Sequence, residues 1–222
     1  MQGCVLLVLA GGQGTRMGGV DKPLRMLCGR PLLAHVLARL GQPAGATLLS
    51  VNDRPDRYQA FGATLLPDTV AGWPGPLAGI LAGLEWLGRA EPGADLLVAP
   101  ADTPFLPRDL LPRLRHARAA QAAGVACARS GGRLHPATGL WRAEHAAAVR
   151  QALAAGERQL GRVMQAVGLA VAEFDAELVD PFFNVNTPEE LAKAEVLCRR
   201  QEARPEALPL DSAKGSPLES PS

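Results

Sequence analysis

Apolar positions along this chain fall into short runs that read as strands, and the segments between them carry apolar residues at helical spacing. The strand-like runs are residues 4–9, 47–51, 64–66, 96–99, 125–128 and 170–174. Between them, 31–40 places Leu33, Val36, Leu37 and Leu40 along one face, and 77–87 repeats the pattern with Ile80, Leu81, Leu84 and Leu87. Side chains three or four positions apart share a helix face, so each segment predicts a helix with one buried stripe. Further helices are predicted over 108–123, 143–155 and 188–200. The last opens with Thr187 ahead of Pro188, Glu189 and Glu190, an order suited to a helix N-terminus. Strands alternating with helices predict an α/β fold of three layers, a mostly parallel sheet with helices on both faces.

Composition then removes function classes. A length of 222 residues fits one domain and allows two. Basic and acidic residues nearly cancel, 23 against 22, so no broad positive surface is available for nucleic acid or an anionic membrane, and any anion must be held locally. The longest fully apolar run, 4–10, is seven residues, against the roughly 20 needed to cross a bilayer. No basic, apolar leader precedes it, which leads to the expectation of a cytoplasmic protein. From 201 onward Pro, Ser and Glu dominate without a periodic apolar face. The expected organisation is therefore a single domain over 1–200 and a disordered tail over 201–222.

Cys4, Cys28, Cys127 and Cys198 are isolated, with no CxxC spacing, and Cys4 and Cys127 sit in apolar runs where cysteine acts as a small hydrophobe. His35, His116, His135 and His145 make no HExxH, and no GxSxG elbow exists. Covalent and zinc chemistry are thereby disfavoured. His135, beside Pro136 and near Thr138, predicts a rigid turn and a pocket-wall residue.

The informative segment follows the first strand: Leu9, Ala10, Gly11 and Gly12 lead into QGTRMGGVDK, which carries Arg16 and Lys22. Glycines let backbone N–H groups converge on a phosphate, while Arg and Lys neutralise charge. The spacing fits neither a Walker A loop, since Val20 follows Gly19 where lysine belongs, nor GxGxxG, since Met17 takes the last glycine's place. The bland alternative is a glycine-rich chain reversal.

LAGGxxxRMGGxDK resembles the signature of nucleotidyltransferases, and of the molybdenum cofactor guanylyltransferase family in particular. LLPD at 65–68, GPLAG at 75–79, PADTPFLP at 100–107, HP at 135–136 and NVNTPEE at 184–190 follow in that family's order. The similarity covers roughly 4–198. It implies a Rossmann-like nucleotidyltransferase fold and transfer of GMP from GTP to the terminal phosphate of molybdopterin or molybdenum-molybdopterin. It also implies Mg²⁺ as cofactor, and a monomer whose product passes to molybdoenzyme delivery chaperones. By the resemblance Arg16, Lys22 and Asp102 carry the chemistry and Asp102 binds the metal. Leu9, Ala10, Gly11, Gly12, Lys22, Asn52, Asp68, Asp102, Asn184 and Asn186 line the nucleotide and acceptor sites.

Each assignment has a plainer counterpart. Asp102 lies at the carboxyl end of a predicted parallel strand, where ligands bind in open α/β sheets, yet an Asp before Pro104 also suits an Asx-turn. Asp68 is a nucleotide contact or a solvated turn acid. Ser50 and Asn52 compete for the asparagine position that reads the base. Asn184 and Asn186 bind pterin or phosphate, or merely cap the helix that follows. Three alternatives accompany the guanylyl reading: a cytidylyltransferase for the same cofactor, a sugar-phosphate nucleotidyltransferase, and a non-catalytic GTP-binding delivery protein. The LAGG start favours the guanylyl branch, and a domain that ends in the NVNTPEE helix without a long sugar-binding extension disfavours the sugar-phosphate enzyme.

Overall fold

Elements in chain order are β1 (Cys4–Leu9), β2 (Met26–Leu27), β3 (Arg30–Pro31), α1 (Leu32–Leu40), β4 (Thr47–Ser50), β5 (Thr64–Leu66), α2 (Pro76–Ala90), β6 (Asp95–Pro100), α3 (Leu110–Ala120), β7 (Val125–Ser130), β8 (Arg133–Arg142), α4 (Ala146–Ala154), α5 (Leu160–Ala166), β9 (Leu169–Phe174) and α6 (Pro188–Glu202). The structure is a computed structural model and describes residues 3–11, 21–41, 45–67, 75–176 and 180–202. Gly12, Arg16 and Asp68 lie outside the described residues, as does the chain from 203 onward.

Seven strands form one sheet in the order β5-β4-β1-β6-β8-β7-β9. β1 pairs in parallel with β4 and β6, β4 with β5, and β7 with β9; β8 runs antiparallel between β6 and β7. Alternation along β1 sends Cys4, Leu6 and Val8 to one face, into a cluster with Leu33 and Val36 of α1 and Leu110 and Leu114 of α3. Val5 and Leu7 face the other way, into a cluster with Leu77, Ile80, Leu81 and Leu84 of α2, Val149 of α4 and Met164 of α5. β1 is thus covered on both faces and paired on both edges. Each fully buried Leu or Val contributes roughly 1.5–3 kcal/mol, so this strand anchors the domain. A third cluster of Leu27, Leu32, Phe105, Val185, Ala194 and Cys198 seats α6 beside β2. No described helix is long and apolar enough to cross a membrane. Burial raises the Cys4 thiol to about 11 and the Cys127 thiol to about 12, which leaves both inert, as their apolar settings predict.

The largest departure from expectation is β8. His135 and Pro136 belong to a ten-residue strand rather than to a rigid turn. The ladder jumps from the Cys127–Gly139 pair to the Ala128–His135 pair, leaving 136–138 as a bulge on β8. Proline has no N–H for a ladder, and a bulge is where a strand tolerates it. α5 and the short β2–β3 pair were likewise not signalled by periodicity, being too brief to show one, and α6 ends at Glu202 rather than at 200.

At the edge of the sheet opposite the ends of β1 and β6, Asp95 is fully buried and held by guanidinium groups. Its Oδ2 accepts from Arg115 Nε at 2.9 Å and its Oδ1 from Arg118 Nη2 at 2.6 Å, while Arg142, its register partner on β8, lies 3.9 Å away. Arg115 also donates to the Gly3 carbonyl at 3.0 Å, tying α3 to the start of β1. Removing one member of a buried pair leaves the other charge uncompensated, at a typical cost of about 3–5 kcal/mol. Asp95→Ala is therefore expected to lower unfolding free energy by about that amount, read as a reduced midpoint in urea denaturation. A midpoint unchanged from the unaltered protein would show that the cluster carries no stability.

Candidate active site

The register brings three strand ends to one level. Leu9 stands opposite Ser50 on β4 and Pro100 on β6. Two further hydrogen bonds extend the pairing, from Ala10 N–H to the Ser50 carbonyl at 3.0 Å and from Ala101 N–H to the Leu9 carbonyl at 3.1 Å. Gly11, Asn52 and Asp102 consequently emerge side by side at the carboxyl edge of the sheet, where open α/β folds bind ligands.

Lys22 leads a single 3-10 turn, Lys22–Leu24, with buried Pro23 fixing the backbone. Its ammonium donates to Asp102 Oδ2 and to Asn186 Oδ1, joining chain segments far apart in sequence. Both side chains of the ion pair remain partly open, at 19% exposure each, so a ligand can reach them. Asp21, beside Lys22, accepts from Arg57 Nη1 at 3.0 Å. The lysine-bearing turn is thus braced against the turn Pro55–Phe61, a contact that no sequence motif announced.

The Asx-turn reading of Asp102 does not hold. The residue two positions on is Pro104, which has no N–H to close such a turn. The Asp102 main-chain carbonyl instead accepts from Val185 N–H at 2.9 Å. Neighbouring Thr103, fully buried, donates its hydroxyl to Asn184 Oδ1 at 2.7 Å, with Asp102 Oδ1 3.4 Å away. Nor do the two asparagines cap α6. Thr187 does so, its Oγ1 accepting from Glu190 N–H at 3.1 Å, while Glu190 Oε2 accepts from the N–H groups of Asn186 and Thr187 at 2.6 and 2.9 Å. With the cap supplied by this reciprocal box, Asn186 accepts from Lys22 and Asn184 from Thr103, the neighbour of Asp102.

Ser50 and Asn52 are separated by burial. Ser50 is 3% exposed, and its Oγ lies 2.6 Å from where a Cβ on Gly79 would stand. Helix α2 approaches β4 so closely that only glycine fits there, and the serine is sealed beneath it. Asn52 is exposed. Its Nδ2 lies 3.1 Å from the corresponding Cβ position of Gly11, so Asn52 borders the start of the glycine-rich segment. His135 stands elsewhere, behind the segment 180–186, with its ring stacked on Phe182 at 4.5 Å.

The groups that converge are all oxygen donors: the Asp102 carboxylate, the Asn184 and Asn186 amide oxygens and the Thr103 hydroxyl. Hard cations prefer such ligands, and the Lys22 ammonium already sits among them. Among the described residues no group of three or more His, Cys, Asp or Glu side chains is placed to enclose a metal by itself. One carboxylate with amide oxygens fits a hard divalent cation that keeps part of its coordination for water and phosphate.

Known proteins bear on this arrangement. The molybdenum cofactor guanylyltransferase of Rhodopseudomonas palustris strain BisB5 is 46% identical over 196 residues, 87% of this chain and 93% of that protein. A protein of the same name from Cereibacter sphaeroides is 46% identical over 195 residues, 87% and 96% of the two chains. Among solved structures, molybdopterin-guanine dinucleotide biosynthesis protein A from Archaeoglobus fulgidus superposes with a TM-score of 0.70 at 25% identity, covering 88% of this chain and 99% of that one. The 2-C-methyl-D-erythritol 4-phosphate cytidylyltransferase from Thermus thermophilus shares the fold, with a TM-score of 0.62 at 23% identity over 87% and 98% of the chains. The family described as MobA-like NTP transferase domain matches residues 6–171, from β1 into β9, and the chain belongs to it.

Proposed function

We propose that this enzyme transfers GMP from GTP to the terminal phosphate of molybdopterin, or of its molybdenum-bearing form, giving molybdopterin guanine dinucleotide and pyrophosphate. The observation that carries this reading is the meeting of Lys22, Asp102 and Asn186 where β1 and β6 end, in a chain whose relatives are named molybdenum cofactor guanylyltransferases.

An oxygen of the acceptor phosphate attacks the α-phosphorus of GTP, and the bond from that phosphorus to the bridging oxygen breaks, releasing pyrophosphate. A phosphate monoester has a second pKa of about 6, so the nucleophile is already largely a dianion near neutral pH and needs no protein base. The obstacle is repulsion: two like unit charges 4 Å apart cost about 4 kcal/mol at an effective dielectric of 20, and here several oxygens meet. Lys22 offsets that charge directly, exchanging the oxygens of Asp102 and Asn186 for those of phosphate. Asp102, with the nearby amide oxygens, would hold Mg²⁺, which when bound polarises the reacting phosphate and stabilises departing pyrophosphate. The backbone from Leu9 to Gly11 cradles phosphate, and Gly12, Arg16 and Asp68 join the nucleotide site on the strength of the resemblance. Asn52 reads guanine, because its exposed amide offers both a donor and an acceptor while Ser50 is sealed under α2.

Calorimetry with each nucleotide in the presence of Mg²⁺ is expected to show GTP bound in clear preference to CTP and ATP. Equal or tighter CTP binding would assign the chain to the cytidylyl reaction instead. Asp102→Ala is expected to lower kcat by roughly 100- to 1,000-fold while retaining GTP binding, the usual cost of losing one preorganised electrostatic element. Lys22→Ala is expected to weaken GTP binding by about tenfold as well as slow transfer, since it meets phosphate in both ground and transition states. Pyrophosphate release with molybdopterin as acceptor measures turnover in both variants. Near-native turnover of Asp102→Ala would move the metal to another carboxylate. We also propose that residues beyond Glu202 are dispensable, as their composition supports. Truncation there is expected to leave the melting temperature and turnover unchanged, and a drop of several degrees would mean that the tail is packed.

A further inference from the structure

The segment from Asp180 to Asn186 delivers both asparagines to the site, and it is fastened at its far end by Asp180 and Ser130, which no motif marks, together with His135. Asp180 Oδ1 accepts from the Ser130 hydroxyl at 2.7 Å and from Phe182 N–H at 2.9 Å, and the Asp180 carbonyl accepts from Phe183 N–H at 3.0 Å. Ser130, the last residue of β7, is 2% exposed, and its oxygen also lies 2.7 Å from His135 Nε2. A hydroxyl has one proton to give. Since an ionised carboxylate only accepts, the serine proton goes to Asp180 and His135 must donate from Nε2. The His135 ring stacks on Phe182 at 4.5 Å, and Phe182 meets Phe174 of β9 edge to face at 5.1 Å, with Arg113 of α3 over the Phe174 ring at 4.2 Å. The turn at 180–183 is therefore gripped by β7, β8 and β9 together.

Two residues beyond Phe182 the same segment reaches the site. Asn184 accepts from Thr103, Val185 N–H donates to the Asp102 carbonyl, and Asn186 accepts from Lys22. Val185 is fully buried between these bonds. One end of a seven-residue stretch is thus pinned to the β7–β9 half of the sheet and the other to the strand ends around β1.

We propose that Ser130, His135 and Asp180 are positioning residues. They anchor the 180–186 segment so that Asn184 stands against Thr103, Val185 against the Asp102 backbone and Asn186 against Lys22, and they touch neither nucleotide nor acceptor. The consequence for catalysis rests on the guanylyl-transfer reading above; the anchoring itself does not.

The deciding comparison is Asp180→Ala against Asp180→Asn in the full chain. Asparagine keeps an oxygen that can accept from Ser130 and Phe182, and alanine does not. Hydrogen exchange of peptides spanning 180–187, measured without substrate, is expected to quicken at least tenfold in Asp180→Ala and stay near native in Asp180→Asn, with β1 and β6 peptides unchanged in both. Loss of an acceptor for buried donors is of a size that corresponds to about a tenfold effect or more. In turnover assays kcat of Asp180→Ala is expected to fall about tenfold with the GTP dissociation constant within about threefold of native, and Asp180→Asn to restore it. A purely structural role would lower the melting temperature without that split. Should Asp180→Ala fail to fold, Ser130→Ala, which deletes a single hydroxyl, takes its place with the same readouts. Unchanged exchange over 180–187, or quickened exchange with native kcat, overturns the proposal. Absence of turnover by the unaltered enzyme with GTP and molybdopterin would sink guanylyl transfer alone, and the exchange result would still decide the anchoring.

Discussion

Because β1 is flanked by parallel partners on both edges and covered by helices on both faces, its register with β4 and β6 must be satisfied before anything else can be placed. Slipping β1 by one residue would exchange the side chains of its two faces and shift Gly11 relative to Asn52 and Asp102. The chemistry inherits its precision from packing. Leu9, Ser50 and Pro100 end their strands at one level, and the polar residues just beyond them need only short loops to converge. The arrangement is economical because rigid, apolar strands hold position while the groups facing substrate need contribute little to stability.

Burial around that edge also assigns roles among similar residues. Ser50 and Asn52 both follow the same strand and both offer hydrogen bonds, but the close approach of α2 through Gly79 shuts one away and leaves the other at the surface. Thr187, Asn186 and Asn184 are all polar residues ahead of one helix, yet Thr187 takes the cap, Asn184 holds Thr103 and Asn186 is left to meet Lys22. In each case a polar side chain is committed to structure so that its neighbour is available for a ligand.

Much of this was legible in the chain itself. Strands of four to six residues with apolar character and helices with a clear stripe declare themselves by period, and Lys22 stands in a glycine-rich segment whose charge and backbone freedom suit an anion, whereas the metal role of Asp102 was legible only through the family resemblance. What escaped was non-periodic or long-range. β8 contains Pro136 and Gly139 and bulges at 136–138, so its sequence looks like a turn until β6 and β7 are there to pair with it. Helix α5 spans only Leu160–Ala166, too short for a stripe to stand out. Asp21 with Arg57, Ser130 with Asp180, and Asp95 with its guanidinium partners are contacts between distant positions, and no local spacing encodes them.

The parallel pairing of β1 with β6 has a consequence for how the protein is made. Cys4 pairs with Asp95, closing a loop of roughly ninety residues, whose entropic cost grows only slowly with length but whose closure must wait for the partner to exist. At ribosomal rates of about 5–20 residues per second, the apolar first strand is born roughly 5 to 20 seconds before β6. During that interval α1, β4 and α2 emerge and can cover one edge and part of both faces of β1. The remaining edge stays open to the nascent chain's surroundings until β6 arrives, so that interval leaves an apolar, unpaired strand edge exposed to aggregation.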